Sequence, residues 1–231
     1  MINDVNLIWQ SDTTYFRLGE RWVYLTFIID IYSRLIVGYA FSHSLRAEAN
    51  VRALKMALAN RKGADLSKLI FHSDGGTQYR FKPFVEQLRQ RGISSSMCTA
   101  ATDNAYAEKL NDVIKNEYLV YRSNQLGKRL SSILPQVVDN YCTRRHHGQL
   151  PLRCSPSEYE QWLLTEAGLE QRPRLLVRDG QSRRQEWEPD VGAKAFEHPL
   201  ATAVAGVSQI LPAHVKLDHP IQDRQLSLAF N

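Results

Sequence analysis

Trp22-Val23-Tyr24-Leu25-Thr26-Phe27-Ile28-Ile29-Asp30-Ile31-Tyr32-Ser33-Arg34-Leu35-Ile36-Val37-Gly38-Tyr39-Ala40-Phe41 is the stretch that decides the fold class. Two runs rich in β-branched and aromatic residues flank Ser33-Arg34, the pattern of two strands joined by a turn. Reading backward, Gly19-Glu20 makes another turn. Before it, residues 5–16 roughly alternate apolar and polar (Val5, Leu7, Trp9, then Thr13 and Tyr15), as a strand burying one face does. The chain therefore opens with an antiparallel three-strand meander, and Asp12 sits in its first strand.

Reading forward, Val51, Leu54 and Leu58 recur at helical spacing across residues 46–61, with Gly63 placed to close the helix. Leu69-Ile70-Phe71 is too short for a helix and runs into His72-Ser73-Asp74-Gly75-Gly76, so it reads as a buried strand ending in a polar loop. A helix over 84–91 and a fifth strand over 93–98 follow. The next helix spans 103–118, with Asp103 as its N-cap, Leu110 and Ile114 turned inward and Glu108 in its second turn. A helix over 127–147, kinked at Pro135, turns Leu130, Leu134, Val137 and Tyr141 inward and ends in Arg144-Arg145-His146-His147. A short helix over 157–164 comes last. Beyond Thr165, prolines spread through mixed charge without a sustained period. The expectation is an α/β domain over residues 1–164, a mixed five-stranded sheet flanked by helices, and a loosely built tail over 165–231.

Composition bounds the function. The net charge of +5 favours a polyanionic partner without identifying one. Cys98, Cys142 and Cys154 are scattered, with no CxxC pair for zinc and no disulfide framework, which suits a reducing cytoplasm. The longest apolar stretch is interrupted by Asp30 and too short to span a bilayer, and the first residues lack the build of a signal peptide. No membrane partner is expected.

Asp12 in the first strand, Asp74 just after the fourth and Glu108 on a later helix are carboxylates far apart in sequence on separate elements. Phosphodiester transfer by two metal ions requires such a set, because hard Mg²⁺ or Mn²⁺ ions take carboxylate oxygens converging from rigid elements. Five segments carry a family resemblance, in order along roughly residues 5–163. They are Trp9-Gln10-Ser11-Asp12-Thr13-Thr14-Tyr15, Ile29-Asp30-Ile31-Tyr32-Ser33-Arg34, His72-Ser73-Asp74-Gly75-Gly76-Thr77-Gln78-Tyr79, Asp103-Asn104-Ala105-Tyr106-Ala107-Glu108, and a closing pattern from Tyr141 through His146 to Ser155-Pro156. Together they resemble bacterial insertion-sequence transposases with a retroviral-integrase-type, RNase H-like core, above all the third insertion-sequence family.

The resemblance implies that Asp12, Asp74 and Glu108 are the catalytic, metal-binding triad for two Mg²⁺ or Mn²⁺ ions. It implies metal-dependent cleavage and joining of DNA along a copy-out, paste-in route, with element ends and target DNA as partners and a homo-oligomer holding two ends. It also assigns Lys115 as the basic residue after the glutamate. Seven residues, about two turns at roughly 3.6 residues per turn, put it on the face of Glu108, where it can hold a DNA phosphate. Two departures stand out: the segment between Asp74 and Glu108 is short, with Thr99-Ala100-Ala101-Thr102 in place of a glycine-containing stretch. The helix-turn-helix region that precedes the family's core is not in this chain, so end recognition is expected from a separate protein or a missing N-terminal region.

Each residue also has a plainer reading. Asp12 and Asp74 fit turn chemistry, and Glu108 fits a solvated surface charge. Asp30 is expected to be structural, bonded near Ser33 or Arg34. His72 either orders its loop or contacts DNA, or is a satisfied polar group. Asn104 and Gln78 are candidates to support the carboxylates by hydrogen bonds. Arg144 and Arg145 suit either a solvated helix end or, with Lys115, Lys128 and Arg129, a phosphate track. Two rival functions remain: a non-catalytic DNA-binding or regulatory derivative, against which the intact carboxylates argue, and a nuclease of the same fold, which would lack the closing pattern.

Overall fold

The computed structural model describes residues 2–18, 20–98, 104–122, 130–175 and 187–188. The meander is present: β1 (Ile8–Leu18), β2 (Arg21–Asp30) and β3 (Ile36–Ser42) pair antiparallel. β4 (Ile70–Ser73) then lies parallel to β1, and β5 (Ser94–Met97) parallel to β4, giving a mixed sheet in the order β3-β2-β1-β4-β5. The first strand starts later than its alternation suggests. Parallel pairing explains this, since Ile8 opposite Ile70 is where β1 first finds β4.

Helices cover both faces of the sheet. α1 (Glu48–Asn60) and α2 (Lys82–Arg89) bury Ala53, Leu54, Phe84 and Leu88 with Trp9, Ile28 and Phe71 in one cluster. α3 (Ala105–Val113) and α4 (Leu130–Arg144) pack Leu110, Leu134, Val137 and Tyr141 against Val23, Leu25, Phe27 and Ile29 in another. β2 is thus buried on both faces, which is why its sequence is nearly continuous in apolar residues rather than alternating. α1 comes unusually close to β3 at Gly38, where an added Cβ would lie 2.3 Å from the Ala53 carbonyl oxygen. The helix ends at Arg61, and Gly63, at φ 90°, turns the chain just beyond rather than serving as the cap itself.

After Val113 the α3 helix does not stop. It widens into a π-helical stretch, Ile114–Leu119, and tightens into a 3₁₀ turn, Val120–Arg122. In α4, Pro135 is accommodated within the helix; its expected start over 127–129 lies outside the described residues. α5 (Pro156–Leu163) begins with a capping box: Ser155 Oγ accepts from the Glu158 N–H, and the Glu158 carboxylate accepts from the Ser155 N–H at 2.8 Å.

The elements not legible in the sequence include a 3₁₀ turn at Thr77–Arg80, the 3₁₀ turn at Val120–Arg122, α6 (Glu166–Glu170) and two short strands beyond it. Of the segment read as a loose tail, residues 166–175 pack on the rest. β6 (Arg174–Leu175) bridges back to Ile2, and Leu175 is buried with Tyr32, Tyr159 and Trp162 in a third cluster. β6 also pairs with β7 (Trp187–Glu188). The remainder of the segment lies outside the described residues. Cys98, Cys142 and Cys154 are free thiols. Among the described residues no helix is long and apolar enough to cross a membrane.

Candidate active site

The parallel pairing of β1 with β4 sets Ser11 opposite Ser73, so Asp12, still within β1 and paired with Phe27 of β2, lies beside Asp74, the first residue past the end of β4. Asp12 and Asp74 are both half-buried. α3 lies over this strand end on the same side as Asp12. The Gln10 side chain, two residues before Asp12 and therefore on the same face, accepts from the Tyr106 N–H at 3.1 Å and the Ala107 N–H at 3.4 Å. A strand residue thus satisfies the first amides of α3. The expected cap, Asp103, lies outside the described residues, and the N-cap position falls on Asn104, whose side chain makes no capping bond.

Asn104 instead donates to the Ser11 carbonyl at 3.0 Å, and one and two turns further on Glu108 and Asn111 come toward Asp12. Asn111 donates from Nδ2 to Asp12 Oδ2 at 2.8 Å. On the other side, Tyr79 in the 3₁₀ turn reaches back to Ser11 Oγ at 2.9 Å, which in turn donates to the Phe27 carbonyl. Asp74 accepts from the Gly76 N–H at 3.2 Å, the local turn chemistry expected of Asp-Gly-Gly. The loop bearing Asp74 is therefore fastened to β1 as well as to itself.

Asp12 lies within reach of the Asp74 charge, and Glu108 within reach of that of Asp12. Asp12 is held above the usual carboxylate range, first by burial and next by the Asp74 charge; the Thr13 amide, Asn111 and Lys115 pull it back. Glu108 is also raised, by burial first and then by Asp12 and Asp112, although it is largely exposed. The site thus gathers negative charge with one lysine to offset it. All its donors are hard oxygens, the type that Mg²⁺ and Mn²⁺ prefer. The Asn104 and Asn111 side-chain oxygens are buried without a hydrogen-bond partner, so acceptors point nowhere within the protein beside the carboxylates. In this arrangement no three His, Cys, Asp or Glu side chains among the described residues stand close enough to cage an ion. The donor set fits a hard divalent ion in chemistry, and the exposed Glu108 carboxylate is the member with freedom to swing toward the two aspartates.

The other expected site residues fare differently. His72, on β4 opposite Gln10, bonds through Nδ1 to Ser96 Oγ on β5 at 3.2 Å. Gln78 folds back over Gly76 rather than onto a carboxylate: an added Cβ at Gly76 would sit 2.2 Å from its amide nitrogen. Arg144 is exposed, while Arg145 is bonded through both guanidinium nitrogens to Glu117. Lys128 and Arg129 lie outside the described residues. Sequence reasoning missed Gln10, Asn111 and Tyr79. Gln10 and Tyr79 did lie inside the motifs that drew attention to Asp12 and Asp74, and their polar groups on buried positions were the available signal.

Asp30 is fully buried and structural. Its carboxylate accepts from the amides of Asn6 at 2.6 Å, Tyr32 at 2.9 Å and Ser33 at 3.3 Å, and it is pushed up to about 6 by burial and then by Glu160. It holds the turn in which Arg34 takes a left-handed φ of 65°. Beside it, Arg61 binds Glu160 at 2.7 and 2.5 Å, and Ser33 Oγ donates to Glu160 at 2.6 Å.

The sheet order and the flanking helices give an RNase H-like fold. Residues 3–102 match the integrase core domain family; that span holds Asp12 and Asp74 and stops just short of Glu108. Among solved structures, the fold is similar to the HTLV-2 integrase catalytic core domain in complex with magnesium, at a TM-score of 0.53 and 17% identity over 66% of this chain and 95% of that one. It is also similar to the simian T-cell lymphotropic virus intasome bound to the PP2A regulatory subunit B56 gamma. There the TM-score is 0.60 at 16% identity, over 80% of this chain and 67% of that one.

Sequence relatives narrow the class. An uncharacterized 31 kDa protein of insertion element IS600 from Shigella sonnei is 34% identical over 63% of this chain and 54% of its own length. The transposase InsF of insertion sequence IS3A from Escherichia coli K12 is 35% identical over 48% of this chain and 39% of its own length. The chain is similar to these two proteins over part of its length and spans about half or less of theirs.

Proposed function

We propose that residues 1–164 form a metal-dependent polynucleotidyl transferase that cleaves a DNA strand and joins it to another, with 165–231 as an appended segment. The observation that carries this reading is the parallel register of β1 and β4 that sets Asp12 beside Asp74, with α3, the helix of Glu108, tied to Asp12 through Asn111. Asp12, Asp74 and Glu108 would hold two Mg²⁺ or Mn²⁺ ions. When bound, such ions stabilise the charge on the attacking and leaving oxygens of an in-line displacement.

The chain's own groups have separate tasks. Asn111 fixes Asp12 through Oδ2. Lys115 offers an ammonium to a non-bridging phosphate oxygen. Asn104 and Gln10 lock α3, and so Glu108, onto β1. His72 orders β4 against β5 through Ser96, and Gln78 braces the Asp74 loop. Arg144 is free to touch a DNA backbone directly, whereas Arg145 would contribute beside its Glu117 partner. DNA ends and target DNA are the partners, in the cytoplasm where the nucleoid lies, with a homo-oligomer holding two ends together and a helix-turn-helix region or protein recognising them.

Strand transfer on a branched oligonucleotide in Mg²⁺ or Mn²⁺ tests this, with Asp74→Asn and Glu108→Gln as controls. Metal-dependent joining that both substitutions remove is the expected result. Cleavage without joining would make the chain a nuclease, and DNA binding without either reaction would make it a regulatory derivative.

A further inference from the structure

α3 has a second working face. Asn104, Glu108 and Asn111 address the carboxylate site, whereas Ala105, Tyr106, Lys109, Leu110 and Val113 form one wall of a cavity of about 310 Å³. The opposite wall is the segment from Arg145 to Gln149, part of the closing pattern of the sequence. The floor is apolar and aromatic, from Ile29, Leu110, Tyr106 and Tyr141. Its cationic groups are Arg34, Lys109 and Arg145, and its lining contains no carboxylate.

The charges are arranged with depth. Arg34 is 3% exposed, its guanidinium carbon 4.1 Å from the centre of the Tyr106 ring and its Nη1 donating to the Ile31 carbonyl. Lys109 and His146 are exposed at the mouth. His147 is depressed to about 4 by burial and then by Arg145 and Arg34, so it meets a ligand as a neutral ring at physiological pH, edge-on to Tyr141 at 5.1 Å between centroids. An aromatic and aliphatic lining that also carries Lys109, Arg34 and the Glu117-paired Arg145 matches a ligand that is part aromatic ring and part phosphate.

We propose that this cavity receives one nucleotide of the DNA strand that runs into the active site, its base on the Tyr106 and Tyr141 side and its phosphate at Lys109 and Arg145. This rests on the reading of the chain as a DNA-processing enzyme and adds a base-sized contact outside the carboxylate site. A helix about 10 Å across separates the two faces of α3, and a strand of B-form DNA covers that distance in about three nucleotides at roughly 3.4 Å each. The nucleotide concerned is therefore about three from the scissile phosphate.

Gly148, in the cavity wall, supplies a clean test: a Cβ there would meet nothing within 4 Å, so Gly148→Glu introduces a carboxylate without a clash. The probe is a branched oligonucleotide bearing the fluorescent base aminopurine at successive positions beside the scissile phosphate, bound by full-length chain carrying Asp74→Asn. One position is expected to change emission on binding. Gly148→Glu and Lys109→Ala should each abolish that change and weaken binding roughly tenfold, while an abasic residue at that position weakens wild-type binding and makes Gly148→Glu less harmful. Unchanged emission at every position, or an equal effect of Gly148→Glu on intact and abasic probes, would overturn the proposal. Joining activity reads out separately: joining without an emission change removes the pocket and leaves the transferase, and an emission change without joining does the reverse.

Discussion

The fold gathers carboxylates in two places, and it treats them in opposite ways. Around Asp30 and Glu160, three backbone amides, Ser33 Oγ and the Arg61 fork meet the carboxylate oxygens inside the protein. At Asp12, Asp74 and Glu108, the internal partners among the described residues are the Thr13 amide, one asparagine N–H, a local turn amide and one nearby lysine, and no arginine fork answers them. The first cluster is complete and ties the β2–β3 turn to α1 and α5. The second is incomplete, which is the property a site for external cations needs. Counting carboxylates does not separate structure from function; counting what answers them does.

The comparison breaks most visibly under Asp12→Asn. Strand joining should fall by at least about a thousandfold, ~4 kcal/mol in barrier terms, while thermal stability of the metal-free chain holds or rises, because the change removes a carboxylate that burial and Asp74 both disfavour. A loss of stability instead would mean that this cluster, too, is structural. Glu160→Gln should do the converse: it strands Arg61 in a half-buried position and should cost about 3 kcal/mol in denaturant unfolding, with joining per folded molecule unchanged at a permissive temperature.

The Asp30 carboxyl gives the inner cluster a pH signature. Its pKa rises from 3.8 to about 6 on folding, so across that interval the folded chain keeps a proton that the unfolded chain has lost. The stabilisation is complete below about pH 4 and is lost as the pH climbs through about 6. The difference in unfolding free energy between wild type and Asp30→Asn should shift by on the order of 3 kcal/mol over that window; a flat difference would show that its amide bonds already cancel the burial cost. The smallest effect belongs to the outer cluster. Added Mn²⁺ should raise the melting temperature of the wild type by a few degrees, by stabilising only the state that binds it, and should leave Asp12→Asn unmoved.

The sheet was legible because β2 and β3 announce themselves by composition and β1 by alternation. β5 was legible from position, for Ser94-Ser95-Ser96 has little strand character of its own and sits mostly exposed at the sheet edge. Asp12 and Asp74 were readable from their flanking motifs, and their adjacency followed once β1 and β4 were parallel. Asn111 was not readable, because its partner is 99 positions away and an asparagine on a helix carries no local mark of its contact. The bonds between Gln10 and the first amides of α3 were unreadable for the same reason: a cap can come from across the fold, and sequence rules weigh only neighbours. α6 and the 3₁₀ turn at Thr77–Arg80 are too short for any periodicity to register.

The π-helical stretch from Ile114 to Leu119 has one more implication, for what lies beyond the site rather than for its chemistry. Such a stretch takes in one residue more than an α-helix of the same rise and so changes the angular phase of everything after it. Upstream of it the phase is locked by Asn104 and Asn111 on β1; downstream the chain emerges rotated by about a quarter turn, with Tyr121 left exposed to solvent. Removing one codon within this stretch would restore the ordinary winding and swing that surface to a new bearing while Glu108 stayed where it is.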